Sequence, residues 1–594
     1  MMEQTIDYSN VTKKEIIGMR FFESLYAIKD ENRKQYAVSM AEQRAQELNI
    51  SRQFSKGWQT FLHSKAKTGT VTGNRTNFPE LPFALHCGDW IADADGVKRM
   101  VQDRNGNLKA AYASHIPVLP LEILQNTEEG TEKIRIGFYK YGKWNHILVP
   151  RSTVASKVKI IELADMGLEV TSESAKLLVK YLADVTALNI DAIPLVKSCR
   201  HRGWAGDTFL PYTDAIKLDS ELQYKDLIAA VGSKGDLEEW IHYTGELRKN
   251  TVLRLIMGAS FASPLIAKVN ALPFVFHLWG GSGAGKTVGV MTAASIWGDP
   301  RPGRLTRTMN MTVNSMMQMA SVLRNLPFFG DELQTIKSRY ENYDKLIMQV
   351  TEGINRGRMT DTALQQQMTW ENAFVFTGEE PCTQHVSGGG VKNRVIEIEC
   401  TDNVVENGNA VVNFINKNFG LAGPEYIRFL TEYPVQERFD KKMKQILDAT
   451  DTSEKQAMAM ALILTADELA GQAFYPDEVP LTVEDVKPFL KAQTDIDAAE
   501  RSYREIVGVI MEHEVNFKQD VNTARWGRMG STCVEINKTV LVRELQNLGF
   551  NFDAVKKKWA EKGYLLKNAY GKYASRASID GENAYYVCLK FDGM

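Results

Sequence analysis

Residues 274–297 read FVFHLWGGSGAGKTVGVMTAASIW, and the reading of this stretch decides the fold class. Phe274 to Leu278 is an apolar run of strand length. Gly280, Gly285, Lys286 and Thr287 then fit G-x-x-x-x-G-K-[ST], and Val288 to Trp297 continues with helical periodicity. Strand, glycine loop and helix in that order are the context a phosphate-binding loop requires. Glycines 280, 281, 283 and 285 let backbone N–H groups turn inward around a phosphate, where a β-carbon would obstruct them. The helix N-terminus adds a partial positive charge. The expected nucleotide-binding segment is therefore Gly280, Gly281, Ser282, Gly283, Ala284, Gly285, Lys286, Thr287 and Val288. In ATP, Lys286 would reach the β- and γ-phosphates, and the Thr287 hydroxyl would be a ligand for Mg2+. A glycine-rich turn that merely looks like this motif is the alternative, and both correct flanks count against it.

Downstream, residues 326–332 read LPFFGDE, an apolar run ending in two carboxylates about 45 residues after the loop. Asp331 is expected to hold the magnesium shell and Glu332 to polarise the attacking water. Pro327 is tolerated only at a strand's start or edge, and Gly330 loosens its end, so the match is imperfect. Taken alone, such a run is an ordinary strand leaving a core. The next apolar run, AFVFTGE (373–379), ends in a hydroxyl suited to touch the γ-phosphate or the water. Thr377 is the candidate for this sensor 1 role and Glu379 the second choice; the plainer reading is a buried strand running into a turn.

Beyond it, GGGVKNRVIEIEC (388–400) places Arg394 at a strand start. From there a guanidinium can project to a neighbouring subunit's nucleotide as an arginine finger; a solvated Arg is the plain alternative. Between the helical stretch Tyr343 to Ile354 and the Thr377 strand lies NRGRMTDTALQQQMTW (355–370). It reads as a β-hairpin whose Arg356 and Arg358 are placed to grip DNA phosphates, or else as a surface loop.

Outward from this block, composition sets limits. The chain has 594 residues, 44% apolar and 24% charged, which fits several globular domains and excludes a disordered or fibrous chain. Net charge is −2, from 71 basic and 73 acidic side chains, so nucleic acid must be met by local basic patches. The six cysteines are scattered without a CxxC pair, which argues against a zinc site and a disulfide framework and fits a reducing cytoplasm. The N-terminus shows no signal-peptide pattern, and apolar stretches such as Ala271 to Trp279 read as too short to cross a bilayer. A cytoplasmic protein is expected.

The expected division is 1–115, helices then hairpins; 116–225, an α+β domain able to act as a DNA-binding collar; 226–500, an ATPase core with a helical lid; and 501–594. In the third, apolar runs alternate with amphipathic helices, the mark of an α/β domain with a parallel sheet. The last holds a basic region: from Lys538 to Arg576 there are nine basic and three acidic residues, a local balance of +6. It reads as helix, turn at Gly549, second helix with Asn551 as N-cap, then strands. A winged helix-turn-helix is expected, with Lys556, Lys557 and Lys558 on DNA phosphate. A docking module with a solvated lysine face is the other reading.

The order of phosphate loop, DE strand, helix and hairpin, TGE strand and NRVIEIE resembles the AAA+ class. Within it the chain is similar to the MCM-like replicative helicases of phages and mobile islands, and to the replication helicases of staphylococcal cassette chromosome elements. VPR near Arg151, RGW at Arg202–Trp204 and SIWGDP after the loop helix belong to the same resemblance. It implies a multidomain protein with a central AAA+ P-loop ATPase. It also implies a hexameric ring that uses ATP and Mg2+ to move on single-stranded DNA in replication of a mobile genetic element. Duplex DNA, a primase, a polymerase and a single-strand-binding protein are the implied partners. It raises Arg394 as the finger, whereas Arg428 and Lys455 lie in the region of a sensor 2 without a convincing motif. A nucleotide-switched initiator or loader scaffold that does not unwind is the competing function; the Arg356/Arg358 hairpin, which a processive motor needs, discriminates them. The basic C-terminal module disfavours a metabolic P-loop NTPase.

Overall fold

The structure is a computed structural model that describes residues 8–28, 30–68, 74–102, 108–220, 222–339, 343–355, 367–384, 387–518, 523–568, 570–579 and 582–591. The chain divides into two compact units, Met1–Leu124 with Glu132–Leu195, and Gln125–Thr131 with Val196–Met594.

In the first unit, helices Met19–Tyr26, Glu31–Glu47 and Ser51–Thr68 close over an aromatic cluster of Phe22, Phe54, Trp58 and Phe61. Antiparallel strands follow. KIRIGFYKYGKWNHILVP forms the hairpin Glu132–Lys140 with Lys143–Pro150, turning at Tyr141 and Gly142. Both turn residues have positive φ (58° and 73°), as the two-residue turn matching the strand twist demands. One apolar cluster runs from Phe78 to Ile193, on both sides of residue 115.

The second unit is built on a five-stranded sheet: β1 (Phe274–Trp279), β2 (Thr306–Thr308), β3 (Phe328–Asp331), β4 (Ala373–Gly378) and β5 (Val395–Glu399), in the order β2-β3-β4-β1-β5. All four pairings are parallel. The chain is thus a multidomain α/β protein with a parallel sheet, as the alternating runs predict. β4 is buried along its whole length and β1 at five of six positions, which is why both read as unbroken apolar runs. Pro327 lies just before β3, where its missing N–H costs no ladder bond. Gly330 is required by packing rather than loosening the strand end: a Cβ there would meet Met309 Sδ at 2.4 Å and the Phe376 ring at 2.7 Å.

Helices α1 (Thr251–Lys268), α2 (Lys286–Ala294), α3 (Val313–Leu323), α4 (Asp344–Thr351) and α5 (Glu454–Phe474) surround this sheet. The expectation that every apolar stretch is too short for a bilayer needs correction. α1 and α5 have the length and apolar content of membrane spans, yet 72% and 78% of their most apolar windows are buried inside the protein. They pack on each other: Gly258 sits against Ile463, and Asp467 binds Arg254 at 2.7 Å and the fully buried Arg248 at 2.8 Å. These are core helices of the second unit.

The C-terminal part packs α6 (Ala498–Glu512), α7 (Lys538–Asn547) and α8 (Phe552–Glu561) with β6 (Gly527–Met529), β7 (Cys533–Asn537), β8 (Leu565–Leu566), β9 (Ser575–Ile579) and β10 (Glu582–Lys590). β10 is antiparallel to β7, β8 and β9. Gly549, with φ 80°, ends α7, and the Asn551 side chain caps α8 by accepting from the N–H groups of Asp553 and Ala554. Trp559 anchors α8 to α6 through an Nε1–H bond to the Ala499 carbonyl at 2.8 Å.

Candidate nucleotide-binding site

In a parallel sheet, ligands collect where neighbouring strands are connected in opposite directions, outside the strands' C-terminal ends. β1 occupies that position, between β4 and β5, and the glycine loop leaves its C-terminal end. Gly280, Gly283 and Gly285 have φ values of 137°, 90° and 75°, which side chains with a Cβ rarely adopt. Gly285 is tight as well: a Cβ would come within 3.0 Å of the Val405 backbone nitrogen. Lys286 opens α2 and donates to the carbonyls of Gly280 and Gly281 at 2.8 and 2.7 Å.

The β3–β4 register pairs Gly330 with Phe376, so the next residues, Asp331 and Thr377, stand level. The Thr287 hydroxyl donates to Asp331 Oδ1 at 3.0 Å, and the Thr377 hydroxyl donates to the same oxygen. The Glu332 N–H donates to the Thr377 hydroxyl at 3.2 Å. Glu332 itself adopts φ 61°, unusual for a residue with a side chain and costing on the order of 1–3 kcal/mol. Thr377 therefore braces both carboxylate residues.

A cleft of about 360 Å³ unites these groups. Ser282 through Val288, Asp331, Glu332, Thr377 and Glu379 line it. Sequence reading missed Gln334, Asn403, Val405, Glu406 and Gly408, which complete the wall. The last four follow β5 in TDNVVENGN, a turn-rich run with no nucleotide motif. Its proximity is tertiary: the Val404 N–H bonds the Ala284 carbonyl at 2.9 Å, and Asn407 caps the following helix, Gly408–Ile415. Beneath, burial pulls the His277 imidazole below its usual value. Its Nε2 meets the Glu380 carbonyl at 3.0 Å, holding the turn that carries Glu379.

Arg394 is not among the described residues lining this cleft. It lies at the opposite, N-terminal end of β5, with Nη1 on Met348 Sδ (2.7 Å) and the Gly390 carbonyl (3.2 Å). Arg356 and Arg358 fall outside the described residues. Their flanks converge: Ile354 bridges Thr369 antiparallel, and the Asn355 N–H bonds the Met368 carbonyl at 3.0 Å. Arg428 pairs with Glu425 at 2.6 Å on one exposed helix face, and neither it nor Lys455 lines the cleft. On α8, Lys557 is exposed, Lys556 pairs with Asp553, and Lys558 approaches Asp497, the N-cap of α6, at 3.9 Å.

The fold and site define a multidomain α/β protein with a parallel sheet, a glycine-loop cleft and a C-terminal helix-turn-helix. Residues 497–594 match the family described as the Cch helix turn helix domain, and residues 91–369 match a domain of unknown function, DUF927. The chain shares the fold of the solved structure described as "SCCmec type IV Cch - active helicase", with a TM-score of 0.65 at 17% identity over 86% of this chain and 98% of that one. The resemblance to the staphylococcal cassette chromosome helicases thus holds at the level of fold. The NrS-1 C-terminal region aligns with a TM-score of only 0.31 at 11% identity, over 79% of this chain and 96% of that chain. Among curated proteins none matches.

Proposed function

We propose that this chain is an ATP-dependent DNA helicase of the AAA+, MCM-like type, acting in replication of a mobile genetic element in the cytoplasm. The observation that carries this reading is the convergence of Lys286, Thr287, Asp331, Glu332 and Thr377 on one cleft, with Arg394 held at the far end of the sheet. The first five are a complete set for splitting a nucleoside triphosphate within one subunit except for a positive charge at the transition state. An arginine outside its own cleft suits supply from a neighbour, hence a ring, taken as a hexamer.

The donor set fits magnesium. Thr287 Oγ1 and Asp331 Oδ1 are hard oxygen donors 3.0 Å apart, and would hold Mg2+ against the phosphates. When bound, the ion neutralises charge on the β- and γ-phosphates. The chain's own groups do the rest. Backbone N–H groups of Gly280 to Thr287 wrap the phosphates, and Lys286 exchanges its loop carbonyls for them. The Glu332 carboxylate orients water, and the Thr377 hydroxyl, accepting from the Glu332 N–H, steadies the backbone that carries it. Within the division 1–115, 116–225, 226–500 and 501–594, the third segment is the motor and the last a winged helix. Lys556, Lys557 and Lys558, with Arg356 and Arg358, are the DNA-facing cations of this reading. A primase, a polymerase or a single-strand-binding protein would work beside it.

The test is strand displacement on tailed and blunt duplexes with ATP, beside Lys286→Ala. ATP-dependent displacement by the wild-type chain and none by the variant is expected. DNA binding and ATP turnover without displacement would replace this reading with a nucleotide-switched initiator or loader. A protomer that never assembles with ATP and oligonucleotide present would end it.

A further inference from the structure

Away from the nucleotide cleft, three side chains distant in sequence come together. Glu128 lies in the turn 126–131, Cys199 ends the strand Leu195–Cys199, and His201 follows two residues later. One ligand atom from each lies within 4.8 Å of the other two. Cys199 and His201 are buried, whereas the Glu128 side chain is 45% exposed and opens the cluster to solvent.

The hydrogen bonds decide what the cluster can hold. His201 Nδ1 is 2.6 Å from the Arg202 carbonyl, which can only accept, so Nδ1 is assigned the proton. Nε2 then faces the two Glu128 carboxylate oxygens at 3.0 and 3.1 Å. A bare lone pair against a carboxylate is repulsive, so a cation must stand between them, either a proton or a metal ion. We propose that Cys199 Sγ, His201 Nε2 and the Glu128 carboxylate form a binding site for a divalent transition-metal ion of the zinc class, with solvent as fourth ligand.

Sulfur, imidazole and carboxylate together are the donor mixture of a borderline-soft ion. Tetrahedral bonds of about 2.0–2.3 Å require donors about 3.3–3.7 Å apart, so the cluster needs an adjustment of about an ångström or less. The Nδ1–H bond to a backbone carbonyl is the outer-shell support that orients a metal-binding histidine. The frame is held as well. The Thr127 N–H bonds the Ser198 carbonyl at 3.0 Å, and Asn126 Oδ1 accepts from the N–H groups of Glu128 and Glu129 at 3.0 Å each.

The ion would staple the turn 126–131 to residues 199–203. That segment is bound in turn to the end of α3: the Arg202 N–H reaches the Val322 carbonyl at 2.8 Å, and the Trp204 N–H reaches Asn325 Oδ1 at 2.9 Å. Arg324, beside them, donates to the Thr369 carbonyl at 3.0 Å, close to where Ile354 bridges Thr369.

The test uses the full chain without a histidine tag, freed of metal by chelator and titrated with Co2+. One equivalent should produce a thiolate-to-cobalt charge-transfer absorption with tetrahedral visible bands, and Zn2+ should displace it. Cys199→Ser should abolish the charge transfer, which also separates this site from any thiolate signal of Cys533 or Cys588. Glu128→Gln and His201→Ala should each weaken Zn2+ at least about tenfold, the lower bound for losing even an outer-shell partner. The wild-type titration stands whether or not a variant folds. Cobalt bound without charge transfer marks an adventitious ion only. That result, or a charge-transfer band that survives Cys199→Ser, overturns the proposal and leaves a proton between His201 and Glu128.

Discussion

Replacing Thr377 by valine isolates one hydroxyl at the centre of the cleft. The side chain is 2% exposed, and valine keeps its shape, so packing changes little. Two hydrogen bonds go: the one donated to the Asp331 carboxylate, and the one accepted from the Glu332 N–H at 3.2 Å. A hydrogen bond to a charged group contributes about 1.5–3 kcal/mol. At about 1.36 kcal/mol per tenfold in rate, kcat for ATP hydrolysis should fall about 10- to 150-fold if the brace matters chiefly in the transition state. The strained Glu332 backbone, at φ 61°, would lose a bond that holds it and move its carboxylate in the same direction. Steady-state ATP hydrolysis with single-stranded DNA, beside equilibrium nucleotide binding, reads this directly. Affinity should change by less than about threefold, because phosphate binding rests on the glycine loop. Thr377→Ser keeps the hydroxyl and should retain most of the rate. Wild-type turnover by the valine variant would refute the bracing argument, and a serine variant as impaired as valine would assign the effect to the lost methyl instead.

Lys286→Ala should abolish ATP turnover, whereas Glu332→Gln should bind ATP yet hydrolyse it too slowly to sustain cycling; normal hydrolysis by the latter removes Glu332 from the mechanism. Arg394→Ala, mixed with wild-type chains, should depress activity more steeply than its mole fraction, because a finger acts on a neighbour; proportional dilution would confine Arg394 to its own subunit. Lys491→Met should cost about 3–5 kcal/mol in denaturant unfolding, since it strands the Glu397 carboxylate, which is mostly buried and paired with Lys491 and Thr383. Burial alone would raise the Glu397 carboxyl, but Lys491 and Thr383 hold it below its ordinary range. Its stabilisation is therefore present above about pH 4.3, the unfolded value, and is lost as pH falls through the depressed folded value. Unfolding curves across that range, for wild type and Lys491→Met, should diverge least at the acid end.

Much of the candidate cleft was legible in the chain because its parts are local. A glycine loop must follow a strand and open a helix, so Gly280 to Val288 announce themselves within ten residues. The DE and TGE runs were legible because apolar strands end where polar work begins. Asn403, Val405, Glu406 and Gly408 were not, because they join the cleft only when β5 lies against β1 and the chain beyond it folds back over Ala284. Gly330 reads in sequence as a weakness and in space as a necessity, since only the neighbouring Met309 and Phe376 reveal the lack of room.

By itself, then, the sequence determined the glycine loop between strand and helix, the alternation that builds a parallel sheet, and the capped helices of the C-terminal module, all of which depend on neighbours a few residues apart. Tertiary structure alone decided the sheet order that sets Asp331 level with Thr377. It alone sent α1 and α5 into the core, where their apolar length would otherwise suit a bilayer. It also gathered Glu128, Cys199 and His201, against a cysteine pattern that spoke against metal. Spacing rules see ligands carried on one short segment, whereas a strand and a distant turn bring together donors that no spacing records.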